Sequence, residues 1–302
     1  MKKLILAAYL FFAFNFSFGQ YNACAGKSEV RETVIKEVKD EKTGEVKREE
    51  VKQLPQTAVQ DAHGNLKGSK YDLAIDGAFK GQTIFVLNIC GNTMEYAKTA
   101  VASKGFSMVE ARNGVPTVAE LKEYLSKSCQ FWLLSGASVM LTKEHVDVIV
   151  DYFNSGRGVY IWNDNTPYHA DGNVITERLF GITMSGDYYA NQVIRFKTDS
   201  LNYGMVPNHL ITIGLESVYE GNTVSTISPD QNQQFTPIMY SSDGNIVAAV
   251  YEMYGKRLII DGGFTRLCVN WDNAGTDRYI KNASAWLANV ERFGKEVSEL
   301  AK

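Results

Sequence analysis

The chain has 302 residues, 45% of them hydrophobic and 22% charged, with six prolines and 25 glycines. That balance excludes mini-protein scaffolds, collagen-like repeats and low-complexity disorder, and it leaves room for one large domain or two ordinary ones. A formal net charge of −3 supplies no positive field for phosphate backbones or anionic lipid, so nucleic acid is not an expected partner.

At the start, Lys2 and Lys3 precede an uncharged run from Leu4 to Phe18, the pattern of a secretory leader covering 1–19. The run is too short to cross a hydrocarbon core of roughly 30 Å, and no later apolar stretch is long enough. The reading is therefore an exported protein, periplasmic or extracellular, without stable membrane insertion, cleaved between Gly19 and Gln20. Lipidation at Cys24 is the rival, although Tyr21, Asn22 and Ala23 lack the apolar residue expected three places before a lipidated cysteine. Export would put Cys24, Cys90, Cys129 and Cys268 where disulfides persist, and they are too widely spread for a zinc cluster.

Residues 20–80 read as a charged arm and connector. From Ser28 to Lys52, Glu and Lys alternate around Val34, Val38, Val46 and Val51. The stretch from Asp40 to Gly44 has turn chemistry that would pair Val34 to Lys39 with Glu45 to Val51 as a hairpin, and a solvated helix competes with it. Gln53 to Lys80 leads into a main domain assigned to 81–302. There the apolar run Thr83 to Leu87 reads as a strand covered on both faces. A helix from Thr93 to Lys104 follows, stopped by Gly105, then a strand at Met108 to Ala111, a helix at Val118 to Ser126 and a strand at Phe131 to Leu134. Lys143 to Phe153 is an amphipathic helix, with His145 on its surface, that feeds the strand Gly158 to Trp162.

The second half is strand-rich: Gln192 to Phe196, Val224 to Ile227, Thr236 to Tyr240, Ile246 to Tyr251 and Arg257 to Asp261. Asp277 opens a closing helix with Ile280, Ala283, Trp286, Leu287 and Val290 as its apolar stripe. Strands alternating with helices give an α/β fold with a doubly wound, mostly parallel, flavodoxin-like sheet, and the C-terminal half adds antiparallel strands.

In such a sheet the ligand crevice lies at the carboxyl ends of the strands. The residues there are Asn88, Cys90, Gly91 and Asn92 after the first strand, and Ser135, Gly136 and Ser138 after the third. Asn163, Asp164, Asn165, Tyr168, His169 and Asp171 follow the fourth, and Thr265, Arg266, Cys268 and Asp272 follow the last. The order of elements, with L-L-S-G-A at Leu133 to Ala137 and V-Y-I-W-N-D at Val159 to Asp164, resembles the class I glutamine amidotransferase-like superfamily over Gly81 to Asn289. The resemblance implies a nucleophilic cysteine in the elbow at Ile161 to Asn165, where this chain has none. It also implies a late His and Glu pair, whereas Gly263 to Asp272 offers only Thr265, Arg266 and Asp272. Glutamine hydrolysis by that route is not expected, and no cofactor is implied.

What remains is a catalytically degenerate crevice that binds a small polar ligand or a protein partner through Asn88, Asn92, Ser135, Asn163, Asp164, Asn165, His169, Arg266 and Asp272. Arg266 would fork onto a carboxylate or phosphate, or pair with Asp164 or Asp272. The alternative is a secreted hydrolase with three possible centres. These are a Cys90 and His169 pair, a metal at Asp164, His169 and Asp171, or Asp164 and Asp272 as acid and base.

Overall fold

A computed structural model describes residues 20–30, 33–39, 43–52, 56–227, 234–271 and 274–300. The leader at 1–19, the turn residues 40–42 and the candidate Asp272 lie outside them. Among the described residues no helix is long and apolar enough to cross a membrane.

The arm is a hairpin. Short strands β1 (Glu29–Val30) and β4 (Gln56–Thr57) pair with each other, and β2 (Thr33–Lys39) and β3 (Val46–Lys52) form a separate antiparallel ribbon. In its register Glu37 stands opposite Arg48, and their ion pair closes at 3.2 Å. Cross-strand pairing of opposite charges satisfies the Glu and Lys alternation better than a helix face would.

The main domain runs β5 (Thr83–Asn88), α1 (Glu95–Ser103), β6 (Ser107–Arg112), α2 (Val118–Ser126), β7 (Gln130–Leu134), α3 (Lys143–Asn154), β8 (Gly158–Trp162) and α4 (Ala170–Phe180). Short strands follow: β9 (Met184–Tyr189), β10 (Val193–Arg195), β11 (Gly204–Met205), β12 (Ser217–Tyr219) and β13 (Thr223–Ile227). After them come β14 (Thr236–Tyr240), β15 (Ile246–Met253), β16 (Lys256–Asp261), α5 (Thr276–Leu287) and α6 (Val290–Leu300).

The ten-stranded sheet has the order β11-β14-β15-β16-β8-β7-β5-β6, with β13 and β9 branching from β15. The pairings β6–β5–β7–β8–β16 are parallel, and those beyond β16 are antiparallel. The parallel half is the 2-1-3-4-5 order of a flavodoxin-like fold, in which the order of strand addition reverses between β5 and β7.

Strand alternation builds two cores. Trp132, Leu134, Tyr160 and Trp162 face α1 and α5, while Phe131, Leu133, Val159 and Ile161 face α2, α3 and α4. Three local expectations change. The closing helix is two helices, broken at Asn289, whose φ of 52° is a left-handed conformation that Asn tolerates better than most residues. Helix α4 was not expected. His145 is buried, not superficial: its Nδ1 accepts from the Thr142 backbone N–H at 3.2 Å and its Nε2 lies 2.9 Å from the Pro116 carbonyl.

The connector is pinned to the domain by charge. Asp72, buried, contacts Arg278 Nε at 2.6 Å through one oxygen and Lys104 Nζ at 2.8 Å through the other, and Lys104, with no exposed surface, also reaches Asp76 at 2.6 Å. Ahead of it the chain from Gln20 is built into the same seam. The Ile75 and Asn22 backbone N–H groups donate to Gln20 and Leu73 carbonyls at 3.0 Å each, and Asn22 Nδ2 donates to the carbonyls of Ser69, Asp72 and Ala74. Removing one partner from a buried charge network strands the others. Asp72→Ala should therefore cost about 3–5 kcal/mol of unfolding free energy in urea titrations followed by circular dichroism; a loss below about 1 kcal/mol, the level of an exposed pair, would refute this account of the seam.

Candidate functional site

The carboxyl ends of the parallel strands are held by side chains that bond backbone. At the end of β5, Asn88 is fully buried; its Nδ2 donates to the Asn92 carbonyl and to Glu110 Oε1, both at 2.6 Å, and its Oδ1 accepts from the Gly91 N–H at 2.9 Å. Asn88 thus shapes the loop that carries Cys90 and Asn92. At the end of β7, the Ser135 hydroxyl accepts from the backbone N–H groups of Asp171 at 3.0 Å and Gly172 at 3.1 Å, capping α4 from a neighbouring strand. The Asp171 carboxylate accepts in turn from the N–H groups of Met140 at 2.7 Å, Leu141 at 2.9 Å and Gly136 at 3.4 Å, which fixes the β7–α3 loop.

At the end of β8 the chain is clamped to β16: the Asn163 N–H donates to the Asp261 carbonyl at 2.7 Å and its own carbonyl accepts from the Phe264 N–H at 3.0 Å. Its side chain is fully buried against the first turn of α4, where any Cβ at Gly172 would lie 1.9 Å from Asn163 Oδ1. Among the described residues neither carboxamide atom of Asn163 has a hydrogen-bond partner, and the same holds for Nδ1 of His169, at the head of α4.

Next in the chain, Asp164 is also fully buried. One carboxylate oxygen accepts from Thr223 Oγ1 at 2.7 Å and the Asn165 N–H at 2.8 Å, and the other accepts from the Thr265 N–H at 2.9 Å. Burial outweighs those donors and pushes its pKa up from 3.8 to about 6. Asn165 is half-buried, with Oδ1 accepting from Thr223 Oγ1 and Nδ2 donating to Asp187.

Arg266 departs from expectation. It is fully buried and pairs with Asp261, not with Asp164, at 3.0 Å; its other terminal nitrogen donates to the Glu220 carbonyl at 2.7 Å. The guanidinium lies 5.9 Å from the Trp162 ring centre and 5.5 Å from that of Tyr279. It is therefore interior structure and is not presented to a ligand carboxylate or phosphate. Two residues absent from the sequence reading matter here: Thr223, the donor shared by Asp164 and Asn165, and Glu220, whose buried carboxylate accepts from the N–H and hydroxyl of Ser242 at 2.8 Å. Thr223 opens β13 and Glu220 lies in the link from β12, both far in sequence from any parallel strand end, and no local signal marks them.

Two of the hydrolase centres, the Cys90 pair and the metal at Asp171, find little support in this geometry, and the third rests on Asp272, outside the described residues. Cys90 Sγ donates to Asn88 Oδ1 at 3.3 Å, and burial, helped by the negative charges of Cys268 and Asp164, raises its pKa to about 11. Asp171 spends its carboxylate on loop backbone, and among the described residues no three His, Cys, Asp or Glu side chains group to hold a metal ion.

No family model and no curated protein matches the chain. Among solved structures it is similar to a ThuA-like protein from Bacteroides uniformis, with 15% identity over 69% of this chain and 91% of that one and a TM-score of 0.47. It is also similar to a ThuA-like protein from Parabacteroides merdae, with 10% identity, 69% and 90% coverage and a TM-score of 0.43. PurLQS from Thermotoga maritima has 10% identity, 68% and 99% coverage and a TM-score of 0.41.

The buried carboxylate gives a stability signature. Because Asp164 is harder to ionise folded than unfolded, the penalty is absent below pH 4, grows as pH rises to about 6 and is complete above it, on the order of 3 kcal/mol in all. Melting temperatures of the wild type should therefore fall between pH 4 and 6 relative to those of Asp164→Asn, which cannot ionise there. Parallel profiles for the two proteins would show that Asp164 titrates normally.

Proposed function

We propose that this chain is an exported binding domain of class I glutamine amidotransferase-like architecture whose crevice, at the carboxyl ends of β5, β7, β8 and β16, holds a small polar ligand without hydrolysing it. The observation that carries this reading is Asn163: a fully buried carboxamide with neither donor nor acceptor satisfied among the described residues, beside Asp164. A buried polar group left unpaired costs free energy that a complementary ligand group recovers.

The charges narrow the class. Arg266 is consumed by Asp261, and the exposed Arg112 at the rim donates to the Gly91 carbonyl. The strand ends carry carboxylate and amide groups, buried at Asp164 and Asn163, which suit a neutral or cationic ligand with its own donors. Against amide hydrolysis, the elbow residues Asn163, Asp164 and Asn165 include no nucleophile. The Cys90 thiol, with a pKa of about 11, is ionised at pH 7.5 only on the order of once in 10³ molecules. A second reading rests on Asp164, whose raised pKa suits a general acid or base. Its two oxygens already accept three hydrogen bonds, which favours a holding role.

Within this reading the two processing sites differ in what they leave of the folded seam. Cleavage after Gly19 preserves every bond of Gln20, Tyr21 and Asn22, whereas processing at Cys24 would remove all three residues, including the Gln20 bond to Ser298 on α6 at 2.8 Å. Intact mass spectrometry of protein recovered from the exported fraction should give a chain beginning at Gln20; a diacylated chain beginning at Cys24 would establish anchoring instead.

Binding is tested by thermal-shift titration with neutral sugars, primary amides and amino acids at millimolar concentration. At least one should raise the melting temperature of the wild type and have no effect on Asp164→Ala or Asn163→Ala. Glutamine should not be turned over. Glutamate release that disappears in Cys90→Ser, or the absence of any stabilising compound, would overturn the proposal.

A further inference from the structure

The ten-stranded sheet has two edges of different character. One is β11, two residues long and bridged by Phe196. The other is β6, whose six residues pair with β5 in unbroken register on one side and, among the described residues, with no strand on the other. In a parallel ladder alternate residues turn both backbone groups to the neighbouring strand. The Ser107 N–H donates to the Gln82 carbonyl at 2.9 Å and the Asn113 N–H to the Asn88 carbonyl at 3.1 Å, so the odd-numbered residues serve β5. The N–H and carbonyl groups of Met108, Glu110 and Arg112 therefore point outward in the plane of the sheet.

Proteins that keep such an edge to themselves shorten it, bulge it or give it lysine or proline. Strand β6 has none of these, and it leaves Val109 42% exposed. Its side chains divide by face. Glu110 and Arg112 lie on the α1 side, where Glu110 accepts from Asn88 Nδ2 and Arg112 donates to the Gly91 carbonyl through Nε and Nη2, two of its three nitrogens. Val109 and Ala111 lie on the opposite face, where Ala111 packs against the core shared with α2, α3 and α4.

We propose that β6 is an association edge for a second copy of this chain, the two β6 strands pairing antiparallel about a two-fold axis through Ala111. Such an axis stands perpendicular to the sheet, so a residue on it meets its own copy and side chains keep their faces across the junction. With Ala111 on the axis, Glu110 stands opposite the partner's Arg112 and Arg112 opposite the partner's Glu110. Each of these pairs carries outward backbone groups, so each exchanges two hydrogen bonds and sets opposite charges side by side. On the other face Val109 and Ala111 of both copies form one short apolar row. The neighbouring registers are worse: Glu110 on the axis would face its own copy, and Val109 on the axis would set Glu110 against Met108. Charge thus selects both the occupant and the register. A single short strand pair falls below the roughly 1,200 Å² of a standard interface, so the dimer should dissociate on dilution and weaken with added salt. Association at β6 does not depend on what the crevice holds.

The test is sedimentation velocity of the full chain between about 1 and about 200 µM, in which the average mass should rise toward twice that of the monomer. Arg112→Glu and Glu110→Arg each set like charges opposite one another and should each weaken association by roughly tenfold or more. An equimolar mixture of the two should associate again, because each then offers the charge the other lacks. Should a charge variant misfold, Val109→Lys, at an exposed position, should remain monomeric and melt as the wild type does at low concentration. Amide exchange followed by NMR should slow with concentration at Glu110 and Arg112 and stay constant at Val109 and Ala111, whose N–H groups are already spent on β5. A monomer throughout the range, association that the three variants leave intact, or no recovery on mixing two folded charge variants would overturn the proposal.

Discussion

The buried pair between Asp261 and Arg266 sets the geometry on which the crevice depends. Both side chains have no exposed surface, and Asp261 accepts four donors: Arg266 Nη1 at 3.0 Å, the Tyr279 hydroxyl at 2.9 Å, the Tyr160 hydroxyl at 3.4 Å and the Gly263 N–H at 3.0 Å. Burial still pushes the Asp261 carboxyl upward against its cation. The pair therefore adds less to net stability than its short distance suggests, while loss of either partner would leave an uncompensated charge in the core. Its structural effect is to curl the chain after β16. A Cβ at Gly262 would lie 1.9 Å from the Ser225 carbonyl, and one at Gly263 would lie 2.6 Å from both Arg266 and the Glu220 carbonyl. Only glycines fit that curl, and the curl is what delivers the Phe264 N–H to Asn163 and the Thr265 N–H to Asp164.

Much of this fold is legible in the sequence because its central strands are covered on both faces. Thr83 to Leu87, Phe131 to Leu134 and Val159 to Trp162 are apolar runs bounded by polar residues, and all become parallel strands. Helix α4 is illegible for a stated reason: its first turn, Ala170 to Asn173, has Asp, Gly and Asn, which read locally as a loop. The cap that fixes it, Ser135, comes from another strand. The break at Asn289 is hidden by an apolar stripe that continues through Val290.

The crevice was legible in position more than in role. The strand-end rule selects Asn88, Ser135, Asn163 and Asp164, and the fold gathers all four. It does not reveal that Asn88 and Ser135 spend their hydrogen bonds on backbone, leaving the Asn163 carboxamide without partners. Arg266 misleads because an arginine after a strand looks available for ligand, whereas its partner is the last residue of that strand, five positions back. Thr223 completes the site from a ribbon whose placement depends on long-range pairing with β9 and β15, beyond any local pattern.

The electrostatics of the crevice bear on what chemistry it can host. A nucleophilic thiol needs a neighbouring cation or an exposed helix N-terminus to stabilise its thiolate. Cys90 is instead half-buried with its thiol donating to Asn88 Oδ1, and α1 begins five residues later, at Glu95. Ionising Asp164 raises the cost of ionising Cys90 and Cys268, and burial already resists the ionisation of all three. Below about pH 6 Asp164 is therefore protonated, and the site is rich in donors and acceptors and poor in nucleophiles. Those properties favour recognition of a polar group over attack on one.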